Sequence, residues 1–531
     1  MTPVQHLKRL EALQKRRANF DDLFQEIAEY IHPKRADFQR TIERGAQRTH
    51  RGTDSTPQWA ATQLANALHG ALTGPAQPWF VLEPVNPALM EDEATRRWYE
   101  AATEIMREVY TDPQTNFQSQ IHEVYLEIVA FGTGCLYVGL DEESGGVSFS
   151  SRPLSEIYLG EDFAGRVDTV YRSYKMTARQ ALQAYPQTLS DKAQRMAEIE
   201  PDTEIKFLHA VTPHPNQVGN WHCEEIEVDA KALVNEFTSF GMPYLTPRWT
   251  KVAGEAYGRS PALEALPDIR MLMAMSRTTI AAAEKAVFPP LIVPNEGFLE
   301  PINTAPGSLI YTTDGFTLTE NRTITPLQIG DPRLGVELIQ RVNDQIIRDF
   351  NVEVFNSADR ANMTATEVMI RQQERNRLIG PMIGRLQTEL LDPLLVQTFR
   401  VLASISGFFP PPTPLMEEQG GGLNVKFVSQ ASKALRADET RSIQTLLSLA
   451  GPIAQTDPSV VHYLDGPQMI KRLADAVGVP SEIIRSDQEA QAKAQAAAQQ
   501  QQQMMQMQIA AQQAQTAKTA AEAGSEVAKQ Q

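Results

Sequence analysis

An α+β fold, predominantly helical, is predicted on three observations. Apolar residues recur at three- and four-residue steps through the first 130 positions. From Cys135 the period changes to two. Two helical stretches of matched length, one opening at Pro267 and one after Pro332, flank a short segment rich in Pro and Gly. With 531 residues the chain has room for roughly two to four structural units.

Val4, Leu7 and Leu10, then Phe20, Leu23, Phe24, Ile27 and Ile31, mark the helical N-terminus, and Pro33 stops the pattern. After a polar stretch, Ser55-Thr56-Pro57 supplies a cap with proline at the first helical position. Trp59, Leu64, Leu68 and Leu72 form one face of the helix that follows, and Gly74-Pro75 ends it. A third helix carries Trp98, Ala102, Ile105 and Val109. A fourth carries Phe117, Ile121, Val124, Ile128 and Phe131 and stops at Gly132. Strands are predicted at 135–140, 147–151, 168–175, 204–211, 223–228 and 244–252, with short helices at 178–185 and 191–199. The helix from Pro267 to Val287 is a rod of about 31 Å. A segment of short strands follows it, including 308–312 and 316–319, and a second rod runs from Pro332 to Phe350. Beyond a polar loop at 356–362, a long helix is predicted to kink at Gly380-Pro381. A Pro/Gly-rich linker, a strand at 424–429 and helices at 440–450 and 466–477 come next. From Gln488 the composition collapses into Ala, Gln and Met, as in a frayed tail or an exposed helix.

Acidic residues outnumber basic ones, 65 to 49, for a net charge of −16. That balance disfavours a protein built to grip nucleic acid. Two cysteines, Cys135 and Cys223, make no disulfide framework and suit a reducing compartment. No apolar run reaches the roughly eighteen residues a membrane span needs, and the basic segment from Met1 to Arg17 lacks the apolar core of a signal peptide. A surface-anchoring role for that segment is diluted by Asp21, Asp22, Glu26 and Glu29.

Catalytic signatures are missing. No phosphate-loop pattern occurs, and Gly132-Thr133-Gly134 follows a helix and lacks a third glycine. In Gly258-Arg259-Ser260-Pro261-Ala262 the serine reads as a helix cap rather than a nucleophile, because proline follows it directly. His209, His214, His222 and Cys223 are residue types that bind zinc, but their spacing fits no standard zinc pattern. Glu142/Glu143 and Glu224/Glu225 are consecutive and point apart in a strand or turn. Arg333, Arg341 and Arg348 alternate with Glu337, Asp344 and Asp349, and Arg371, Arg375, Arg377 and Arg385 with Glu367, Glu374 and Glu389. Such mixtures mark helix faces exposed to solvent or to neighbours in an assembly.

Several strings resemble the portal, or head-to-tail connector, proteins of short-tailed bacteriophages. They are Asp54-Ser55-Thr56 with the helix leading to Leu72-Thr73-Gly74-Pro75-Ala76-Gln77-Pro78-Trp79-Phe80, and Ala130-Phe131-Gly132-Thr133-Gly134. The longest runs from Tyr257-Gly258-Arg259-Ser260-Pro261-Ala262-Leu263-Glu264-Ala265-Leu266-Pro267-Asp268-Ile269 on to Pro289-Pro290. Their order and spacing extend the resemblance over nearly the whole chain.

The resemblance implies a portal architecture: a wing at 1–265, stem helices at 266–288 and 333–355 bracketing a small β-containing clip at 289–332, then a tunnel loop, kinked helix and linker at 356–430. A crown at 431–485 and a helical barrel or tail at 486–531 complete it. It implies a homo-oligomeric ring of about twelve subunits at one capsid vertex, made in the bacterial host cytoplasm and incorporated in the virion. Double-stranded DNA would pass through the channel during packaging and ejection. Partners would be the terminase packaging motor, tail adaptor or nozzle proteins, and the major capsid and scaffolding proteins, with no membrane and no cofactor. Arg360 and Asn362 would be the tunnel-loop contacts to DNA by position. The rival readings are another virion structural protein, such as a tail adaptor or internal scaffold, and a metal-dependent hydrolase built on the histidines.

Overall fold

The computed structural model describes residues 1–39, 52–76, 78–86, 89, 92–141, 145–292, 325–326, 333–352, 380–405 and 423–428, with isolated positions between 445 and 507. Two units are distinguished. One comprises Met1–Leu82, Glu100–Pro410 and Leu423–Ala431, the other Glu83–Tyr99, Pro411–Gly422 and Ser432–Gln531. The predicted strands at 308–312 and 316–319, the tunnel loop with Arg360 and Asn362, the first half of the kinked helix, and most of the crown and tail lie outside the described residues.

The first unit starts with a single 29-residue helix, α1 (Pro3–Ile31), opened by a capping box in which Thr2 and Gln5 exchange hydrogen bonds. In α2 (Thr56–Leu72) the cap differs from expectation. Ser55 makes no capping bond, and the Asp54 carboxylate accepts the Thr56 N–H at 2.8 Å instead. Leu64, Leu68 and Leu72 are buried, but Trp59 is exposed. After β1 (Phe80–Pro84) comes α3 (Glu93–Thr111), of which residues from 100 onward belong to this unit. Ala102 is buried as predicted, but further along the buried face moves one residue on: Met106 and Tyr110 are buried, while Ile105 and Val109 are only half-buried. Tyr110 sets that rotation, since its ring packs on Trp79, Phe80, Phe117 and Phe149 at 4.6–5.7 Å. All five predicted positions of α4 (Phe117–Phe131) are buried.

A three-stranded sheet, in the order β3-β2-β9, is built from β2 (Leu136–Asp141), β3 (Gly146–Ser151) and β9 (Tyr244–Leu245). A five-stranded antiparallel sheet runs in the order β4-β5-β6-β7-β8: β4 (Ile157–Glu161), β5 (Val167–Thr177), β6 (Glu204–Pro213), β7 (Trp221–Glu227) and β8 (Ala232–Ser239). Alternate residues of β6 serve different cores. Ile205 and Phe207 pack under α5 (Ala178–Ala184) and α6 (Asp191–Ile199), while Leu208 and Ala210 meet Leu10 and Leu13 of α1. The predicted strand at 244–252 is cut to two residues, because Pro243 and Pro247 donate no ladder bonds. Beyond it only isolated bridges form, Thr133 to Arg248 and Thr250 to Arg259.

A short α7 (Pro261–Glu264) leads into α8 (Leu266–Val287). The strand pair β10 (Leu291–Ile292) and β11 (Thr325–Pro326) follows, and α9 (Arg333–Asp349) returns. The two long helices are unequal, 22 and 17 residues, or about 33 and 26 Å. From residue 380 the chain is helical, passes through a π-helical turn at Gln387–Leu391 and continues as α10 (Asp392–Ser404). The wide turn has a local cause. Pro393 has no N–H to give the Glu389 carbonyl, and its ring crowds that oxygen. Strand β12 (Leu423–Phe427) pairs with β1. In the second unit, the Asp92 carboxylate accepts from the Thr95 N–H and hydroxyl at 2.8 and 2.7 Å, which holds it below the usual carboxylate range.

Candidate functional site

The α8–α9 pair is the element that sequence reasoning placed at the centre of function. Leu266, Ile269, Leu272 and Met273 bury the first half of α8, and Val342, Ile346 and Phe350 bury the end of α9. The helices cross where Gly335 of α9 meets Thr279 of α8. A Cβ at Gly335 would lie 2.6 Å from the Thr279 hydroxyl, so the approach depends on the missing side chain. Beyond the crossing, the strands pair antiparallel, Leu291 with Pro326 and Ile292 with Thr325. The chain thus leaves along one helix, closes a strand pair and returns along the other.

The outer faces of both helices keep apolar side chains in solvent. Ile280 is 48% exposed, Val287 and Phe288 more so, and Val336 and Leu338 are about half exposed. Fully burying such a side chain is worth about 1.5–3 kcal/mol, of which these positions collect only a part. Near the start of α8, burial raises the Asp349 carboxyl above its ordinary range. The Gln345 amide opposes that shift, and the facing Asp268 carboxylate adds to it.

The base of the pair is locked to the body by a joint made of two motif strings. Gly132 ends α4 with φ +79°, and a Cβ there would lie 2.5 Å from the Gly258 carbonyl oxygen. The Gly258 N–H donates to the Thr133 hydroxyl at 2.8 Å, and the Trp249 N–H to the Gly132 carbonyl at 2.9 Å. Ser260 acts as the expected cap, accepting from the Leu263 N–H at 3.0 Å, and its hydroxyl donates to the Ala130 carbonyl at 2.8 Å. Next to it, the buried Tyr257 hydroxyl donates to the Ile157 carbonyl and accepts from the Leu159 N–H, covering the outer edge of β4.

A buried ion-pair network adjoins this joint. Arg248, 4% exposed at its side chain, forms a fork with Glu389 at 3.1 and 3.0 Å and reaches Glu161 at 2.7 Å. Its backbone N–H also donates to Glu389, at 2.9 Å. The expectation that Glu389 sits in a mixed-charge exposed face is therefore corrected: the π-helical turn carries it to Arg248. Glu161 is shared with Lys251 at 2.8 Å.

The family described as bacteriophage head to tail connecting protein matches residues 5–484. A probable portal protein of Bordetella phage BPP-1 is 30% identical over 497 residues, covering 90% of this chain and 88% of the relative. The portal protein of Salmonella phage epsilon15 is 25% identical over 509 residues, covering 91% and 89%. The chain belongs to the bacteriophage head-to-tail connecting protein family. Among solved structures, a chain from the virion of a native gene transfer agent particle aligns over 80% of this chain and 90% of its own length. Its identity is 12% and its TM-score 0.36, too low to carry an argument.

As a member of this family the connector is a structural protein and not an enzyme. His209 is buried in β6, with Nδ1 2.8 Å from the Tyr244 hydroxyl, and burial pushes its pKa down to about 4. The rings of His214 and His222 stand edge-on at 6.0 Å. Cys223 follows His222 in β7 and so points to the opposite face, and burial raises its thiol to about 12. Among the described residues, no three His, Cys, Asp or Glu side chains converge as metal ligands. Glu224 and Glu225 point apart as expected, one to His6 and the other to the Tyr185 hydroxyl.

The sequence did not mark the role of the first helix. Arg17 is buried and donates to the carbonyls of Leu154, Ile157 and Ser155 at 2.8–3.0 Å, with its guanidinium 4.0 Å from the Tyr158 ring centre. His6 bridges the Tyr171 hydroxyl at 2.6 Å and Glu224 at 2.5 Å. Burial holds the His6 pKa below its ordinary value despite the neighbouring carboxylate. His6, Leu10, Leu13 and Arg17 of α1 thus serve the sheet, while Lys8, Arg9, Lys15 and Arg16 stay exposed. Among the described residues, no helix is long and apolar enough to cross a membrane.

Proposed function

We propose that this connector is a portal subunit whose copies close into a ring, of about twelve, at one capsid vertex, with an axial channel that passes double-stranded DNA during packaging and ejection. The observation that carries this reading is the α8–α9 pair. Its inner seam is closed at Gly335 and Thr279, its far end bears the β10–β11 pair, and apolar side chains along both helices stand about half exposed or more, as at a surface that meets another molecule. On this reading 1–265 is the wing, 266–288 and 333–355 the stem, and 289–332 the clip. Residues 356–430 hold the tunnel loop with Arg360 and Asn362, 431–485 the crown, and 486–531 the barrel or tail. The clip docks the terminase motor and later the tail adaptor or nozzle proteins, while the capsid and scaffolding proteins surround the ring in the virion. The net charge of −16 supports a conduit, because an acidic wall releases DNA where many Lys and Arg contacts would hold it.

Native mass spectrometry of the assembled protein, with negative-stain images of the same fraction, tests the reading. A closed ring of about twelve copies with a central hole is expected. A closed dimer as the largest species would refute it.

A further inference from the structure

The three-stranded and five-stranded sheets meet along a seam lined by two arginines, three tyrosines and a histidine. Tyr137 of β2 and Tyr244 of β9 come from the smaller sheet, with Arg152 just past the end of β3. Arg172 of β5 and His209 of β6 come from the larger sheet; they pair across the ladder and so share a face. The His209 Nδ1 lies 2.8 Å from the Tyr244 hydroxyl, and the Tyr137 ring packs on Tyr244 and His209 at 5.0 and 6.1 Å.

The two arginines are not provided for alike. Arg172 donates from Nε to Glu156 at 2.8 Å, and its guanidinium stands 4.1 Å from the centre of the Tyr174 ring. Arg152 is half-buried, 5.6 Å from the Tyr137 ring centre. Its Nε is shut off from solvent without an acceptor, and among the described residues no carboxylate pairs with its guanidinium. Burial, and then the neighbouring Arg172, press its pKa below the ordinary arginine value, while Glu156 acts on it only at longer range. His209, 3% exposed and within electrostatic reach of both arginines, leaves Nε2 without a partner among the described residues. Glu225, opposite His209 in the register, is already engaged: it accepts from the Tyr185 hydroxyl at 2.7 Å and the Asn235 amide at 3.1 Å. The seam thus holds two guanidinium groups and one carboxylate paired to them.

A charge drawn out of water is ordinarily paired, and part of the Arg152 side chain still opens to solvent, so an ion can reach it. We infer that the seam is an anion site in which Arg152 and Arg172 bind a phosphate ion. The planar fork of Arg152 offers parallel N–H groups to two oxygens of one ion. Arg172 keeps Glu156 on its Nε and brings its terminal N–H groups, which make no other bond among the described residues, to the same ion. Phosphate has the oxygens and the charge to serve two guanidinium groups at once. Chloride has no pair of oxygens for the fork, and acetate carries a single charge. The site belongs to the fold of one copy and stands whether or not copies close into a ring.

Thermal unfolding of the full chain in phosphate, acetate and chloride at matched ionic strength tests it, beside equilibrium dialysis of radiolabelled phosphate. Phosphate should raise Tm along a saturating curve, by about 5 °C at a hundredfold excess over its dissociation constant. Dialysis should count one ion per chain. Arg152→Gln should abolish the rise, and in phosphate-free buffer it should unfold no lower than the parent, because it removes an unpaired charge. Arg152→Lys keeps the charge without the fork and should weaken binding about tenfold. No bound phosphate in dialysis of the parent chain would overturn the site without recourse to any variant. So would an equal rise in chloride, or a phosphate rise that survives Arg152→Gln. Acetate acting as strongly as phosphate, or a short DNA duplex giving an Arg152-dependent rise, would overturn the free phosphate ion as the ligand.

Discussion

Glu389→Gln removes one charge from the network around Arg248 without changing the shape of the π-helical turn. Arg248 is nearly excluded from water and keeps only Glu161, which it shares with Lys251. Breaking one partner of a buried pair costs about 3–5 kcal/mol. The surviving Glu161 contact at 2.7 Å puts this case at the lower end, about 3 kcal/mol. Arg248→Met should cost less, about 2 kcal/mol, because the Glu389 side chain is 22% exposed and can turn to water, while Glu161 keeps Lys251. The double variant then shows a coupling of at least about 1.5 kcal/mol. Urea denaturation of dissociated chains, followed by the fluorescence of the buried neighbour Trp249, reads the cycle. At about 2–4 °C per kcal/mol, Glu389→Gln should also lower Tm by about 6 °C. Additivity of the two substitutions within about 0.5 kcal/mol would refute the joint as a coupled unit.

Two buried groups should set opposing pH slopes. His209 titrates near 4 in the folded chain against 6.5 unfolded, so the unfolded chain takes up the proton first. The stability is whole above pH 6.5 and falls by about 3 kcal/mol toward pH 4; His209→Asn should flatten that limb in urea titrations at stepped pH. Glu127 behaves in the reverse sense. Burial, partly offset by Arg35, raises its carboxyl to about 8, so stability is whole below pH 4.5 and falls as pH rises toward 8. Glu127→Gln should stabilise the chain at pH 8 and change little below pH 4.5, and equal effects at both would refute the assignment. At the α8–α9 crossing, Gly335→Ala should destabilise despite the better helix propensity of Ala, because both branches of Thr279 lie within 3.2 Å of the new carbon. In a Thr279→Ala background the same change should turn stabilising by about 1 kcal/mol, and a denaturation series reads the sign reversal.

What the sequence made legible follows the range of each signal. The stripe of α4, the Ser260 cap and the rod–strand–rod order are written in residues a few positions apart, and the folded chain keeps them. The edge strand β8 gave no clear alternation because most of its side chains face water. Trp59 reads as core from its position on the helical stripe, yet it is exposed. The Arg248–Glu389 fork spans 141 positions and the His6–Glu224 contact 218, and no local pattern records partners that distant.

The family strings themselves have a structural meaning. Gly132 and Gly258 each need the other to lack a side chain, Thr133 and Ser260 each bond the opposite string, and Tyr257 closes the sheet edge beside them. A Cβ at either glycine would run into the other's backbone, which no side-chain change about 125 positions away can relieve. Two of the three family strings therefore mark the joint that fixes α8 to the body. The surfaces proposed to meet other molecules, along α8 and α9, are built from scattered exposed apolar residues whose only local signature is exposure. A family match thus locates the frame of the subunit, and its contacts have to be read from which apolar side chains the folded frame leaves uncovered.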